Sequence, residues 1–140
     1  VTWADNDKFM LALTMWREAR HEGHDGMRAV GHVISNRASE WNKSIAEICT
    51  QPMQFSSITY PGDLQLTVWP KMHDREFEDA MQITEGLDVD NTGGALYYWN
   101  PKTSTVGGWF ARNIAGDPKN FERVMQLGAH EFFRPIKKGA

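Results

Sequence analysis

Hydrophobic positions recur with helical spacing through the first third of the chain and alternate like a strand's near its end. Over residues 8–21, Phe9, Ala12, Leu13 and Trp16 line one broad apolar side, which predicts a helix capped by Asp5 or Asp7 and ended by Gly23. A second helix is expected over 26–38, capped by Asp25, with Met27, Val30, Val33 and Ile34 facing the first and Gly31 permitting close approach. Ser44 followed three places on by Glu47 has the form of a capping box and predicts a short helix over 45–49, which Pro52 prevents from continuing. Residues 53–71 read as irregular apart from a short alternation at Leu64, Leu66 and Val68. Asp74 is placed to cap a helix running to Glu85, with Phe77, Ala80, Met81 and Thr84 on one side and Gly86 stopping it. Aromatic content predicts strands over 95–99 and 106–110, and a further pair over 123–127 and 130–133 broken at Gly128. Helices first and short antiparallel strands later make an α+β chain, and 140 residues suffice for one domain, 1–140. The second half is expected to supply one wall of a cleft.

Composition narrows the function classes. A net charge of −3 without a basic, aromatic-interleaved block argues against nucleic acid as a partner. No apolar run approaches the roughly 20 residues that a membrane helix requires, so no membrane insertion is expected. Cys49 is the one cysteine, which excludes an intramolecular disulfide and a thiolate zinc cluster. No secretory signal is visible, and nothing suggests an obligate oligomer, so a monomer is expected. Six tryptophans are unusual in a chain this short, and Trp69, Trp99 and Trp109 lie in loop-like segments. Such rings either stack on sugars or seal a small core.

One acid stands out on the first helix. Counting back from Glu18 in helical steps gives Met15 and Leu11, and counting forward gives Glu22, so one face carries two apolar residues and then two acids. A carboxylate there is expected to be partly desolvated, which disfavours its charged form and suits it to donate a proton. The alternative is a solvated helix glutamate paired with Arg17, Arg20 or Arg37. His21, Glu22 and His24, with His32 and His130 elsewhere, raise a zinc site, but the first two histidines are three apart around Gly23 rather than in a His-Glu-x-x-His helix. The segment Gln51 to Ser57 presents amide, ring and hydroxyl groups beside Pro52, and Ser56 lacks the Gly-x-Ser-x-Gly elbow of a nucleophile. Along Gly93-Gly94-Ala95-Leu96-Tyr97-Tyr98-Trp99-Asn100-Pro101 a strand would deliver Tyr97 and Tyr98 to opposite faces, and with Trp109 they could line a sugar groove or fill the core.

Taken in order, Glu18-Ala19-Arg20, Ala29-Val30-Gly31 with Asn36-Arg37, Gln51-Pro52-x-Gln54-Phe55-Ser56, the Gly93 to Pro101 stretch, and Leu127-Gly128-Ala129-His130-Glu131-Phe132-Phe133 resemble the SleB/CwlJ-type cell-wall hydrolase family over nearly the whole chain. The resemblance implies a small lysozyme-like α+β domain that cleaves peptidoglycan between N-acetylmuramic acid and N-acetylglucosamine, with Glu18 as the catalytic acid. Glu22, Gln54, Phe55, Ser56, Tyr97, Tyr98, Asn100 and Trp109 are assigned to substrate contact. The chain departs from the family in carrying His21 where glycine is usual, and residues 59–73 match nothing in it. The similarity to lytic transglycosylases implies a one-glutamate mechanism that forms 1,6-anhydro ends and needs no metal or organic cofactor. A hydrolytic muramidase, a zinc-dependent amidase and a non-enzymatic glycan-binding module stay open beside it. Action on the bacterial wall follows, and the bare catalytic domain suggests a phage endolysin released by a holin.

Overall fold

The computed structural model describes residues 3–51, 55–87, 89–103 and 108–137, with the backbone but not the side chain of Ser56. The chain forms two compact units, one ending at Asn91 and one beginning at Thr92.

The first unit is helical: α1 (Asp5–Ala19), α2 (Gly23–Trp41), α3 (Ile45–Cys49), α4 (Ser56–Thr59) and α5 (Arg75–Glu85). Its core is the apolar stripe of α1 (Leu11, Ala12, Met15, Trp16) against Met27, Val30, Val33 and Ile34 of α2, with Ile48 and Ala80 closing it. Gly31 lets the two helices approach closely, since a Cβ there would lie 2.6 Å from Met15 Sδ and displace that side chain. Asp74 serves twice, accepting from the Phe77 amide at 2.9 Å as the α5 cap and from Trp16 Nε1 at 3.0 Å. The capping box of α3 forms as expected between Ser44 and Glu47.

Several local expectations fail for identifiable reasons. Asp5 and Asp7 lie inside α1 rather than at its cap, and Asp7 instead accepts from the Ala46 amide at 2.9 Å, holding the start of α3. The α1 helix stops at Ala19, a single 3₁₀ turn Arg20–Glu22 follows, and α2 begins at Gly23, whose φ of 78° turns the chain directly into the next helix. Asp25 therefore sits in the first turn of α2, where its charge complements the helix dipole, and does not cap it. The alternation Leu64, Leu66, Val68 is not a strand: Asp63 accepts from the Gln65 amide and winds Leu64–Thr67 into a 3₁₀ turn.

The second unit is a three-stranded antiparallel sheet, β1 (Tyr97–Trp99), β2 (Phe121–Leu127) and β3 (His130–Pro135), in the order β1-β3-β2. β2 and β3 form the expected hairpin around Gly128, with an irregularity between Arg123 and Met125. The strand expected over 106–110 is not formed in its described part. Trp109 and Phe110 are helical, with Arg112 N–H donating to Gly108 O at 3.0 Å, and lead into a π turn, Ala111–Ala115. Residues 106 and 107 lie outside the described residues.

Cys49 is fully buried in the first unit, and loss of water pushes its thiol up to about 11. An unfolded chain would lose that proton near the ordinary thiol value while the folded one keeps it. The contribution is therefore complete below about pH 8.5 and is lost as pH rises towards 11. Denaturant titrations across this window should show wild-type stability falling more steeply than that of Cys49→Ala, and parallel profiles would refute it.

Candidate active site

The last turn of α1 brings a buried cation beside a half-buried acid. Arg17 is 7% exposed, Glu18 is intermediate and Ala19 is buried, so Glu18 leaves the core at the point where the helix tightens into the 3₁₀ turn. Arg17 is not Glu18's surface counter-ion. Its Nε donates to Val68 O at 3.1 Å and its Nη1 to Ser57 O at 3.1 Å, fastening residues 57–68 to the end of the helix. Burial lowers the Arg17 pKa, Asp63 opposing the shift and Arg20 adding to it. Arg20 lies over the Trp16 ring at 4.1 Å and donates to Trp16 O, and Arg37 is buried over Phe55 and Trp41.

Glu22 is half-buried at the residue preceding α2. Gly26 makes room for it: a Cβ on Gly26 would lie 2.6 Å from Glu22 Cβ. An acid at this position complements the positive end of α2, which gives Glu22 a structural task whatever else it does.

Of the other expected contacts in this unit, Gln54 and the Ser56 side chain lie outside the described residues. Phe55 requires a correction. Its ring is 1% exposed, 5.3 Å from the Arg37 guanidinium, and so is a core residue supporting the loop rather than a surface that touches substrate.

In the second unit the β1–β3 register sorts the aromatics onto two faces. Tyr97 pairs with Phe133 and meets Phe121 edge-on, while Tyr98 pairs with Phe132, stacks on it at 5.7 Å and meets His130 at 5.3 Å. Both tyrosines are half-buried, on opposite faces as the alternation requires. Trp99 is held firmly, stacked on Phe110 at 5.0 Å and donating Nε1–H to Glu131 at 2.9 Å. Asn100 accepts from the Lys102 amide at 2.9 Å, an Asx turn that ends β1, and Trp109 is 63% exposed.

The histidines of the zinc alternative are dispersed. His21 is exposed, His24 lies 2.9 Å from Asp79, and His32 is buried 3.9 Å from Asp90. Among the described residues no three His, Cys, Asp or Glu side chains come together as a metal site. A polar pocket of about 530 Å³, lined by Trp3, His32, Asn36, Thr84 and Asp90 among others, contains none of the residues assigned to catalysis or sugar contact. No helix among the described residues is long and apolar enough to cross a membrane.

Comparison with known proteins gives these features a context. A family model described as cell wall hydrolase matches residues 21–133. The chain is 29% identical over 132 residues to a spore cortex-lytic enzyme of Oceanobacillus iheyensis, an overlap covering 93% of this chain and 42% of that protein. It is 30% identical over 132 residues to a spore cortex-lytic enzyme of Bacillus subtilis, covering 93% and 38%. It thus spans about two fifths of the length of these curated relatives. The catalytic domain of the germination-specific lytic transglycosylase SleB from Bacillus anthracis superposes with a TM-score of 0.69 at 26% identity, covering 94% of this chain and 97% of that one. The catalytic domain of the Bacillus cereus SleB protein gives 0.66 at 26% identity, with 95% and 93% covered. The α+β class expected from the sequence, helices followed by short antiparallel strands, is the architecture of these domains. The chain belongs to the cell wall hydrolase family.

Proposed function

We propose that this chain cleaves the glycan strand of peptidoglycan between N-acetylmuramic acid and N-acetylglucosamine as a lytic transglycosylase, with Glu18 as the single acid and base. The carrying observation is the placement of Glu18, half-buried at the end of an otherwise buried helix turn and next to the buried Arg17, in a chain of the cell wall hydrolase family. The likeness to a SleB catalytic domain described as a lytic transglycosylase supports the reaction class.

In this reading the protonated Glu18 gives its proton to the glycosidic oxygen as the bond from the muramic C1 to that oxygen breaks. The resulting carboxylate then takes the proton of the muramic C6 hydroxyl as its oxygen bonds to C1, closing a 1,6-anhydro ring without water and returning Glu18 to its starting form. Glu22, which immediately precedes α2, is assigned to sugar contact rather than to proton transfer. Tyr97, Tyr98, Asn100 and Trp109, with Gln54 and Ser56, are the other residues we assign to sugar contact.

The experiment that tests this reading is the clearing of purified sacculi in the presence of a chelator, with Glu22→Gln as the second arm. A one-acid enzyme clears them unaided by metal and loses less than about tenfold on Glu22→Gln, well below the 10²–10⁴-fold worth of direct proton transfer. Complete inactivation of a folded Glu22→Gln would favour the two-carboxylate hydrolytic muramidase. Abolition by the chelator would favour the zinc amidase.

A further inference from the structure

The segment 59–73 carries most of the large apolar side chains that the first unit exposes among its described residues. Tyr60 (50% exposed), Leu64 (86%), Trp69 (58%) and Met72 (87%) all fall within it. Trp69 differs from its neighbours in being built into place. The Val68 carbonyl beside it accepts from Arg17 Nε, and the Arg17 guanidinium lies 4.6 Å from the centre of its ring. A cation that is itself 7% exposed thus covers one side of the indole, while more than half of the residue faces solvent. Sealing a core would bury the ring, as it does for Trp16 at 3%. An exposed ring whose orientation is fixed is the arrangement expected of a binding anchor, because little freedom is left to lose when a ligand arrives.

We propose that Trp69 is a sugar subsite of the first unit, on which a pyranose ring of the glycan strand stacks. The occupant follows from chemistry and continuity. The ring is tied to Arg17, the residue next to Glu18 in α1, so it belongs to the same end of the same helix as the acid. The flat C–H face of a hexopyranose matches an indole as an apolar surface, with its hydroxyls left at the rim. The inference rests on the glycan-cleaving reading above and adds to it a specificity-determining residue.

The test is steady-state cleavage of soluble, uncrosslinked peptidoglycan glycan strands by wild type, Trp69→Ala and Trp69→Phe, with pelleting of the inert Glu18→Gln protein on insoluble peptidoglycan, with and without Trp69→Ala. Truncating a buried-on-binding tryptophan should raise KM roughly tenfold or more with kcat within about twofold, and should shift half-maximal pelleting by a similar factor. Trp69→Phe, which keeps a ring beside Arg17 and decides the matter if the alanine variant misfolds, should fall between the two. A KM unchanged within twofold, or a loss confined to kcat, overturns the subsite while wild-type cleavage leaves the function standing. A wild-type protein that neither cleaves nor pellets with the strands removes the functional reading and this inference with it.

Discussion

Glu18→Gln should fold and melt like the wild type and lose wall-lytic activity by at least about 10²–10⁴-fold, the range over which a positioned proton donor accelerates a reaction. The substitution keeps the shape of the side chain and its helix propensity, and position 18 is half-buried rather than part of the packed core, so little stability is at stake. What it removes is the capacity to give and take a proton. In the proposed mechanism the same carboxyl group is used twice, first on the glycosidic oxygen and then on the C6 hydroxyl, so the loss should stand at or beyond the upper end of that range. Each tenfold corresponds to about 1.4 kcal/mol of barrier, so a thousandfold loss is about 4 kcal/mol. Circular dichroism with a sacculus-clearing assay checks both halves, and substantial residual clearing would remove Glu18 from the mechanism.

Arg17→Ala should destabilise the fold by about 2–4 kcal/mol, lowering the melting temperature by roughly 10 °C. It deletes two charge-assisted hydrogen bonds, to Val68 O and Ser57 O, worth about 1.5–3 kcal/mol each, and the contact with Trp69. Against this stands relief of the cost of burying a cation that is 7% exposed, which holds the net below the sum. Arg17→Lys should recover less than half of the loss, since an ammonium lacks the planar fork that reaches two carbonyls at once. Thermal melts of the three proteins provide the comparison. A melting temperature for Arg17→Ala within 2 °C of wild type would mean that residues 57–68 are held by something other than this arginine.

Arg17 also shows where sequence reading stops. The half-buried place of Glu18 was legible because it continues a stripe through Leu11 and Met15 whose period depends on α1 alone, while its proposed role as the acid came from the motif resemblance. Arg17 follows Met10, Leu13 and Thr14 on an adjoining stripe, which was the available signal, yet its partners are backbone carbonyls 40 and 51 residues away, and no local pattern encodes them. Trp69 was legible only as an exposed or buried ring until Arg17 fixed it. The same contrast runs through the fold. The α3 capping box and the Asp74 cap of α5 are satisfied within four residues and were read correctly. Asp7 resembled a cap but is used by α3, a tertiary demand. Three alternating residues at Leu64 to Val68 were too few to distinguish a strand from the 3₁₀ turn that one Asp63 hydrogen bond favours. Phe55 sits in a motif whose polar members suggested a surface, but its ring was claimed by Arg37 from another helix.

The central claim is that Glu18 breaks the glycan strand by an intramolecular ring closure, and mass spectrometry of the soluble fragments released from purified peptidoglycan tests it most directly. Wild type should release muropeptides ending in 1,6-anhydro-muramic acid, one water lighter than hydrolysed ends, and Glu18→Gln should release none. Reducing muramic ends, or free stem peptides from an intact glycan, would contradict it.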